Sequence, residues 1–213
     1  MGVATRSEVH KIGYWHETFH CWFIYKEAGQ DYIYLQIRSD TKKDYPSLFD
    51  ITAAGHILAH ETIEDGVREV REEIGINVSI TELISLGVIN YCVKRKELID
   101  KELAHVYLFE SKNSFDDFTL QKEEVSGIIK ANFNEFHSLW KNDIDEINIE
   151  GFVIDELGNR VCFDENVGKD RFVPHEESYY DKVLSLIYSH LQSHERQYKF
   201  NSVQLVWASP NKG

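Results

Sequence analysis

Proline is scarce in this chain, three in 213 residues and none in a tract, so no proline-rich linker divides it. Cysteine is equally rare. Cys21, Cys92 and Cys162 stand far apart, odd in number and without a Cys-x-x-Cys pair. That pattern argues against a disulfide framework or a structural zinc site and predicts buried thiols in a reducing cytoplasm. No apolar run approaches the ~18 residues that a membrane-spanning helix needs. The first residues, Met1 to Gly13, lack the apolar centre of a signal peptide, and Arg6 stands where a myristoylation signal needs Ser or Thr. Positive charge is in deficit: 23 Lys and Arg against 36 Asp and Glu leave a net charge of -13. Such a protein repels nucleic acid and anionic membrane unless it holds a local basic patch. The expectation is therefore no nucleic-acid and no membrane partner, and a soluble chain suited to capturing metal cations.

What is present is an ordinary globular mixture, rich enough in Phe, Tyr, Trp and β-branched residues to exclude disorder as the main state. Two aromatic and β-branched runs between Thr18 and Arg38 flank Glu27-Ala-Gly-Gln-Asp31, the pattern of a β-hairpin. Phe19, Cys21 and Phe23 alternate onto one face, with His16, Thr18, His20 and Trp22 on the other. A loop, Ser39 to Phe49, leads into a short strand, Asp50 to Ala54. A helix is expected from Ile63 to Ile74, opened by a Thr62/Asp65 capping box. Further strands are expected over Ile76–Val93, Leu103–Phe109 and Val125–Phe133, with a charged loop from Lys94 to Glu102 and a short helix from Asn134 to Lys141. Beyond these, Phe152 to Phe163 reads as a second hairpin. Tyr180, Val183, Leu184, Ile187 and Leu191 recur at helical spacing. The reading is one mixed α/β domain, with residues 1–142 as the core and 143–213 as an extension packed on it.

The expected helix carries the chemistry. At about 100° per residue, Ile63, Val67, Val70 and Ile74 fall within an arc of about 60°, a stripe that must face the core. Glu69, Glu72 and Glu73 share the opposite side. Three carboxylates at this spacing repel one another by a few tenths of a kcal/mol per pair, roughly, on an exposed helix. Arg68 and Arg71 offset part of that, and a divalent cation with a preference for oxygen ligands would offset more. Helix geometry by itself describes a solvated charged face as well as it describes a metal site.

The flanking residues separate the two. Gly55, Glu61 and the run Arg68-Glu-Val-Arg-Glu-Glu-Ile-Gly-Ile76 resemble the Nudix box, Gly-x5-Glu-x7-Arg-Glu-U-x-Glu-Glu-x-Gly-U, with U aliphatic. It is the signature of hydrolases that cleave diphosphates linked to another moiety. Every specified position from Arg68 to Ile76 fits. Six residues rather than seven separate Glu61 from Arg68, which leaves the role of Glu61 open. The resemblance implies a Nudix fold, a mixed β-sheet sandwiched between helices, here with a C-terminal hairpin and helix added. It also implies Mg²⁺ or Mn²⁺ held by Glu69, Glu72, Glu73 and the main-chain carbonyl of Ala54, with Arg68 orienting a box glutamate by an ion pair. A further glutamate often comes from a later loop, and Glu124 is the candidate, although an exposed acidic turn accounts for it as well.

Upstream, Gln36-Ile-Arg38-Ser39, Lys42-Lys43 and Asp50-Ile-Thr-Ala-Ala-Gly-His56 resemble the branch of the superfamily that contains isopentenyl diphosphate isomerase. There Arg38 and Lys42 would hold the substrate diphosphate, while His56 and His16 resemble metal-binding histidines. Isomerisation itself requires a cysteine just before Gly-His and a Glu-x-Glu pair on a later strand. This chain has Ala54 in the first place and Leu103-Ala-His105-Val where the pair is expected. The resemblance thus implies a small-molecule diphosphate as partner and hydrolysis of a nucleoside diphosphate derivative or related organic diphosphate. Isomerisation and non-catalytic nucleotide sensing are the alternatives, and the assembly state, a homodimer included, stays open.

Overall fold

The computed structural model describes residues 2–94 and 99–206, with side chains described up to residue 193. Its elements are α1 (Arg6–Ile12), β1 (Trp15–Glu27), β2 (Gln30–Arg38), β3 (Phe49–Asp50), β4 (Ala53–His56), α2 (Arg68–Ile74), β5 (Ile84–Lys94), β6 (Ile99–Ser111), β7 (Val125–Asn132), α3 (Phe133–Trp140), β8 (Ile147–Ile154), β9 (Arg160–Val167) and α4 (Glu177–Val206). The strands form one mixed sheet in the order β5-β6-β1-β2-β7-β8-β9, with β3 beside β2 and β4 beside β1. β1 and β6 run parallel; the other pairs are antiparallel.

The first hairpin forms as its residues predict. Ala28 and Gly29 both take positive φ, the type I′ turn whose twist suits a two-residue connection. β1 is then buried on both faces. Phe19, Cys21 and Phe23 join α2 residues Val70 and Ile74 in one core. Trp22 and Ile24 join Phe133, Phe136 and Leu139 of α3 and Tyr180, Val183, Leu184 and Ile187 of α4 in the other. The sheet is thus covered by helices on both sides. Among the described residues no helix is long and apolar enough to cross a membrane.

Several expectations shift. Only Arg68–Ile74 of the box helix is α-helical; Ile63–Val67 winds as a 3₁₀ turn. Gly66 in that turn packs closely on β1, and a Cβ there would lie 2.7 Å from both Phe19 and Ile57. The strand expected from Ile76 begins only at Ile84, because Ser79 and Glu82 form a capping box around a 3₁₀ turn. β7 stops at Asn132, whose side chain accepts the Asn134 and Glu135 amides and so opens α3. β6 already starts at Ile99, inside the stretch expected as a charged loop, of which residues 95–98 lie outside the described residues. The second hairpin is longer than expected, Ile147 to Val167, and β8 pairs with β7, so the sheet continues into the extension.

Candidate active site

β4 brings the box glycine to the centre of the molecule. It pairs with β1 so that Gly55 lies opposite Phe19 and His56 opposite Thr18. α2 crosses behind it, and the Glu69 carboxylate fills the space over Gly55 where any Cβ would collide. Here glycine is required by close approach rather than by backbone conformation. Glu73 sits deeper, 5% exposed, and accepts the Ala54 N–H at 3.1 Å and the Gln36 amide at 3.4 Å. Burial and the neighbouring Glu69 push its carboxyl up to about 8. Burial also raises Glu69, against the pull of Arg68.

Arg68 organises this face. Its Nε and Nη2 hold both oxygens of Glu61 at 2.6 and 3.0 Å, while Nη1 reaches Glu69 at 2.5 Å and Glu72 at 3.0 Å. Nη2 also lies 3.3 Å from the His56 carbonyl. Glu61, with its other contact to the Leu58 amide at 2.8 Å, is lowered to about 2, chiefly by the Arg68 hydrogen bonds. The six-residue spacing therefore leaves Glu61 within reach of Arg68, because the shortened stretch lies in the loop and 3₁₀ turn ahead of α2.

These groups line a cleft of about 1320 Å³ together with Arg38, Lys42, Glu124, His56 and His16. The two expected phosphate-binding cations differ in their surroundings. Lys42 is ion-paired with Glu124 at the cleft wall. Arg38 is committed inward: Nη1 meets the buried Asp50 at 2.9 Å, and Nε and Nη2 hold the Asp44 carbonyl at 3.2 and 2.9 Å. His175, just ahead of α4, meets the other oxygen of Asp50 at 2.9 Å. Burial alone would raise Asp50, but His175, Arg38 and the Ile51 amide hold it down at about 2.

Among the described residues, the triplets of donor atoms lying within 4.8 Å of one another are His10–His16–His56 and His16–Asp100–Glu102. His56 thus groups with histidines rather than with the box glutamates, of which Glu69 and Glu72 share the Arg68 Nη1. The set Glu69, Glu72, Glu73 and Glu124 nevertheless suits Mg²⁺ or Mn²⁺. It is all oxygen, and the two buried members carry raised pKa values that a cation would relieve. Sequence reasoning missed His10, Asp100, Glu102 and His175. The Asp100-x-Glu102 pair lies just before the stretch at Leu103 where the sequence suggested looking, and the β1/β6 register puts His16 opposite Glu102.

A family model described as NUDIX domain matches residues 15–150. An uncharacterized Nudix hydrolase of Clostridium acetobutylicum is 40% identical over 184 residues, covering 86% of this chain and 89% of its own length. An isopentenyl-diphosphate Delta-isomerase of Mycolicibacterium vanbaalenii is 31% identical over 81 residues, 37% of this chain and 43% of the isomerase. A MutT/nudix family protein from Enterococcus faecalis shares the fold with a TM-score of 0.50 at 14% identity, over 78% of this chain and 60% of that one. With the match spanning well over half of the chain and a box that places its glutamates around one glycine, the protein belongs to the Nudix hydrolase family, the hydrolases of diphosphate bonds.

Proposed function

We propose that the protein is a Mg²⁺- or Mn²⁺-dependent hydrolase that cleaves the diphosphate bond of a nucleoside diphosphate derivative or a related organic diphosphate. The observation that carries this reading is the pair Glu69 and Glu73, two half- to fully buried carboxylates with raised pKa values converging behind Gly55 at the floor of a large cleft. Glu69, Glu72, Glu73, Glu124 and the Ala54 carbonyl would hold the cation. When bound, it supplies charge neutralisation at the diphosphate and a water of lowered pKa. Arg68 orients Glu69 and Glu72 through its guanidinium contacts, and Glu61 in turn fixes Arg68. Lys42 meets the phosphate charge by exchanging its Glu124 partner for substrate, a charge-assisted contact. Arg38 holds the loop that carries Lys42. The free cysteines fit a reducing cytoplasm, and the acidic charge fits a small-molecule substrate rather than nucleic acid.

The test is turnover by purified protein with Mg²⁺ or Mn²⁺ on nucleotide sugars, dinucleoside polyphosphates, ADP-ribose, CoA and nucleoside triphosphates. Hydrolysis of at least one class, lost in Glu73→Gln, is expected. Activity retained in Glu69→Gln/Glu73→Gln would overturn the assignment of the catalytic face.

A further inference from the structure

One edge of the sheet is left without a partner strand. β9 pairs with β8 and with no other described strand. The turn that joins the two fixes which way its main chain faces. The Asp155 N–H donates to the Asn159 carbonyl at 2.9 Å and the Gly158 N–H to the Asp155 carbonyl at 3.0 Å, while Gly158 takes a φ of 85°, the pattern of a type I turn with a glycine bulge. Asp155 and Asn159 are therefore a hydrogen-bonded pair. Alternation along the ladder makes Val161, Phe163 and Glu165 the next residues bonded to β8, and turns the amides and carbonyls of Arg160, Cys162 and Asp164 outward. The opposite edge, β5, is interrupted by a register shift between Ser85 and Gly87, a common guard against strand addition. β9 has neither a proline nor a register shift. Its side chains are placed symmetrically about the exposed Cys162. Arg160 and Asp164 stand two residues to either side on the same face, and Val161 and Phe163 flank it on the other. The Arg160 guanidinium is held over the Phe152 ring at 4.2 Å, donating to the Phe115 and Phe118 carbonyls. Asn148 holds Asp164 Oδ1 at 2.9 Å.

We propose that two copies of the chain join by antiparallel pairing of β9 with β9 about a two-fold axis at Cys162, so that the sheet of one subunit continues into the other. A two-fold axis makes every contact occur twice. With Cys162 opposite its own copy, Arg160 faces the partner's Asp164 and Val161 faces the partner's Phe163, so opposite charges meet and apolar residues meet. No neighbouring axis does this. One at Arg160 or Asp164 sets two like charges against each other, and one at Val161 or Phe163 leaves Arg160 and Asp164 facing uncharged residues. The outward amides and carbonyls of Arg160, Cys162 and Asp164 then become hydrogen-bonded pairs across the axis. The hairpin tip, where Leu157 is 85% exposed, comes level with the partner's Val167. This surface lies apart from the residues that line the cleft, and the inference stands whether or not the substrate is a diphosphate.

The experiment measures the mass of the full-length protein in reducing buffer by light scattering after size exclusion, over a dilution series. A dimer is expected for the wild type. Asp164→Lys, an exposed change, sets lysine against Arg160 twice in each dimer and should weaken association by more than about 10-fold. Cys162→Pro removes an N–H that the subunit's own ladder does not use, so the subunit folds while the pairing is blocked, and a monomer is expected. Circular dichroism like that of the wild type checks the fold of both variants. Mild oxidation supplies the register. Hydrogen-bonded residues stand about 5.5 Å apart at Cα, within the span of a disulfide, so Cys92→Ser protein should form a linked dimer that the further change Cys162→Ser abolishes. A monomeric wild type, or a dimer undiminished in either Asp164→Lys or Cys162→Pro, would overturn the interface. A dimer that both variants dissociate but that never links through Cys162 would overturn the axis.

Discussion

Glu73 offers a quantitative test of the buried-carboxylate argument. Its folded-state carboxyl sits at about 8, against an ordinary value of 4.5, because burial and Glu69 disfavour its charge. A carboxyl raised in the folded state binds more protons there than in the unfolded chain, so stability falls as pH rises from 4.5 to about 8 and levels off above. His56 works in the opposite sense. Burial depresses it from 6.5 to about 3, so its effect is complete by pH 6.5. The window above pH 6.5 therefore isolates Glu73 from His56. Asp100, also raised by burial and by Glu102, titrates in wild type and variant alike and cancels in their difference.

Across that window, roughly one and a half pH units remain, at 1.36 kcal/mol each, or about 2 kcal/mol. For a chain of this size that corresponds to a fall in Tm of about 4–8 °C. In Glu73→Gln the amide keeps the shape and can still accept the Ala54 N–H, but it has no charge to desolvate. Thermal unfolding of chelator-treated protein at pH 6.5 and 8.5 should show the wild type losing those degrees relative to the variant. Saturating Mn²⁺ should flatten the wild-type curve, because a bound cation favours the ionised form. A wild type and a Glu73→Gln variant with parallel pH profiles would refute the claim that Glu73 is buried in an environment hostile to its charge.

Gly55→Ala should cut metal affinity and turnover together while leaving the fold intact, since the new methyl displaces the flexible end of Glu69; unchanged Mn²⁺ titration would contradict the packing. Lys42→Ala should raise KM by about 10- to 150-fold, the value of a lost charge-assisted contact, with kcat nearly unchanged. Arg38→Ala should instead destabilise the protein by about 3–5 kcal/mol in urea unfolding, because it strips the buried Asp50 of its partner. His175→Ala removes one hydrogen bond to that carboxylate and should cost about 1.5–3 kcal/mol, and a loss within experimental error would mean that Arg38 alone neutralises Asp50. Isopentenyl diphosphate incubated with metal-loaded protein should yield no dimethylallyl isomer, as Ala54 offers no thiol to move a proton at carbon; a clear isomer signal would overturn this.

The elements legible in the sequence are those whose pattern is local. The first hairpin declares itself through two alternating runs and a Gly-containing turn, and the box through a nearly unbroken motif. α4 is legible because its apolar residues, Tyr180 to Leu191, repeat over about three turns. The α-helix is shorter than the apolar periodicity from Ile63 suggests, because that periodicity does not distinguish an α-turn from a 3₁₀ turn. α1 escaped for a related reason. A seven-residue helix with one buried histidine carries no stripe to read.

The site divides along the same line. Spacing alone puts Arg68, Glu69, Glu72 and Glu73 on one short helix, while their reading as a site, together with Gly55, rests on the resemblance to the Nudix box. Asp100 and Glu102 could not. They stand in a run of charges that reads as a surface loop, and only the parallel pairing of β1 with β6 sets Glu102 opposite His16. Parallel pairing joins residues far apart in the chain and leaves no mark on either strand beyond its alternation. One signal was present nonetheless: Asp100, Glu102 and Ala104 share one face of a strand, so two acids lead directly into a residue of the core. Charges that alternate inward at the start of a buried strand need polar partners, and against Glu102 the fold places His20, Thr18 and Tyr91.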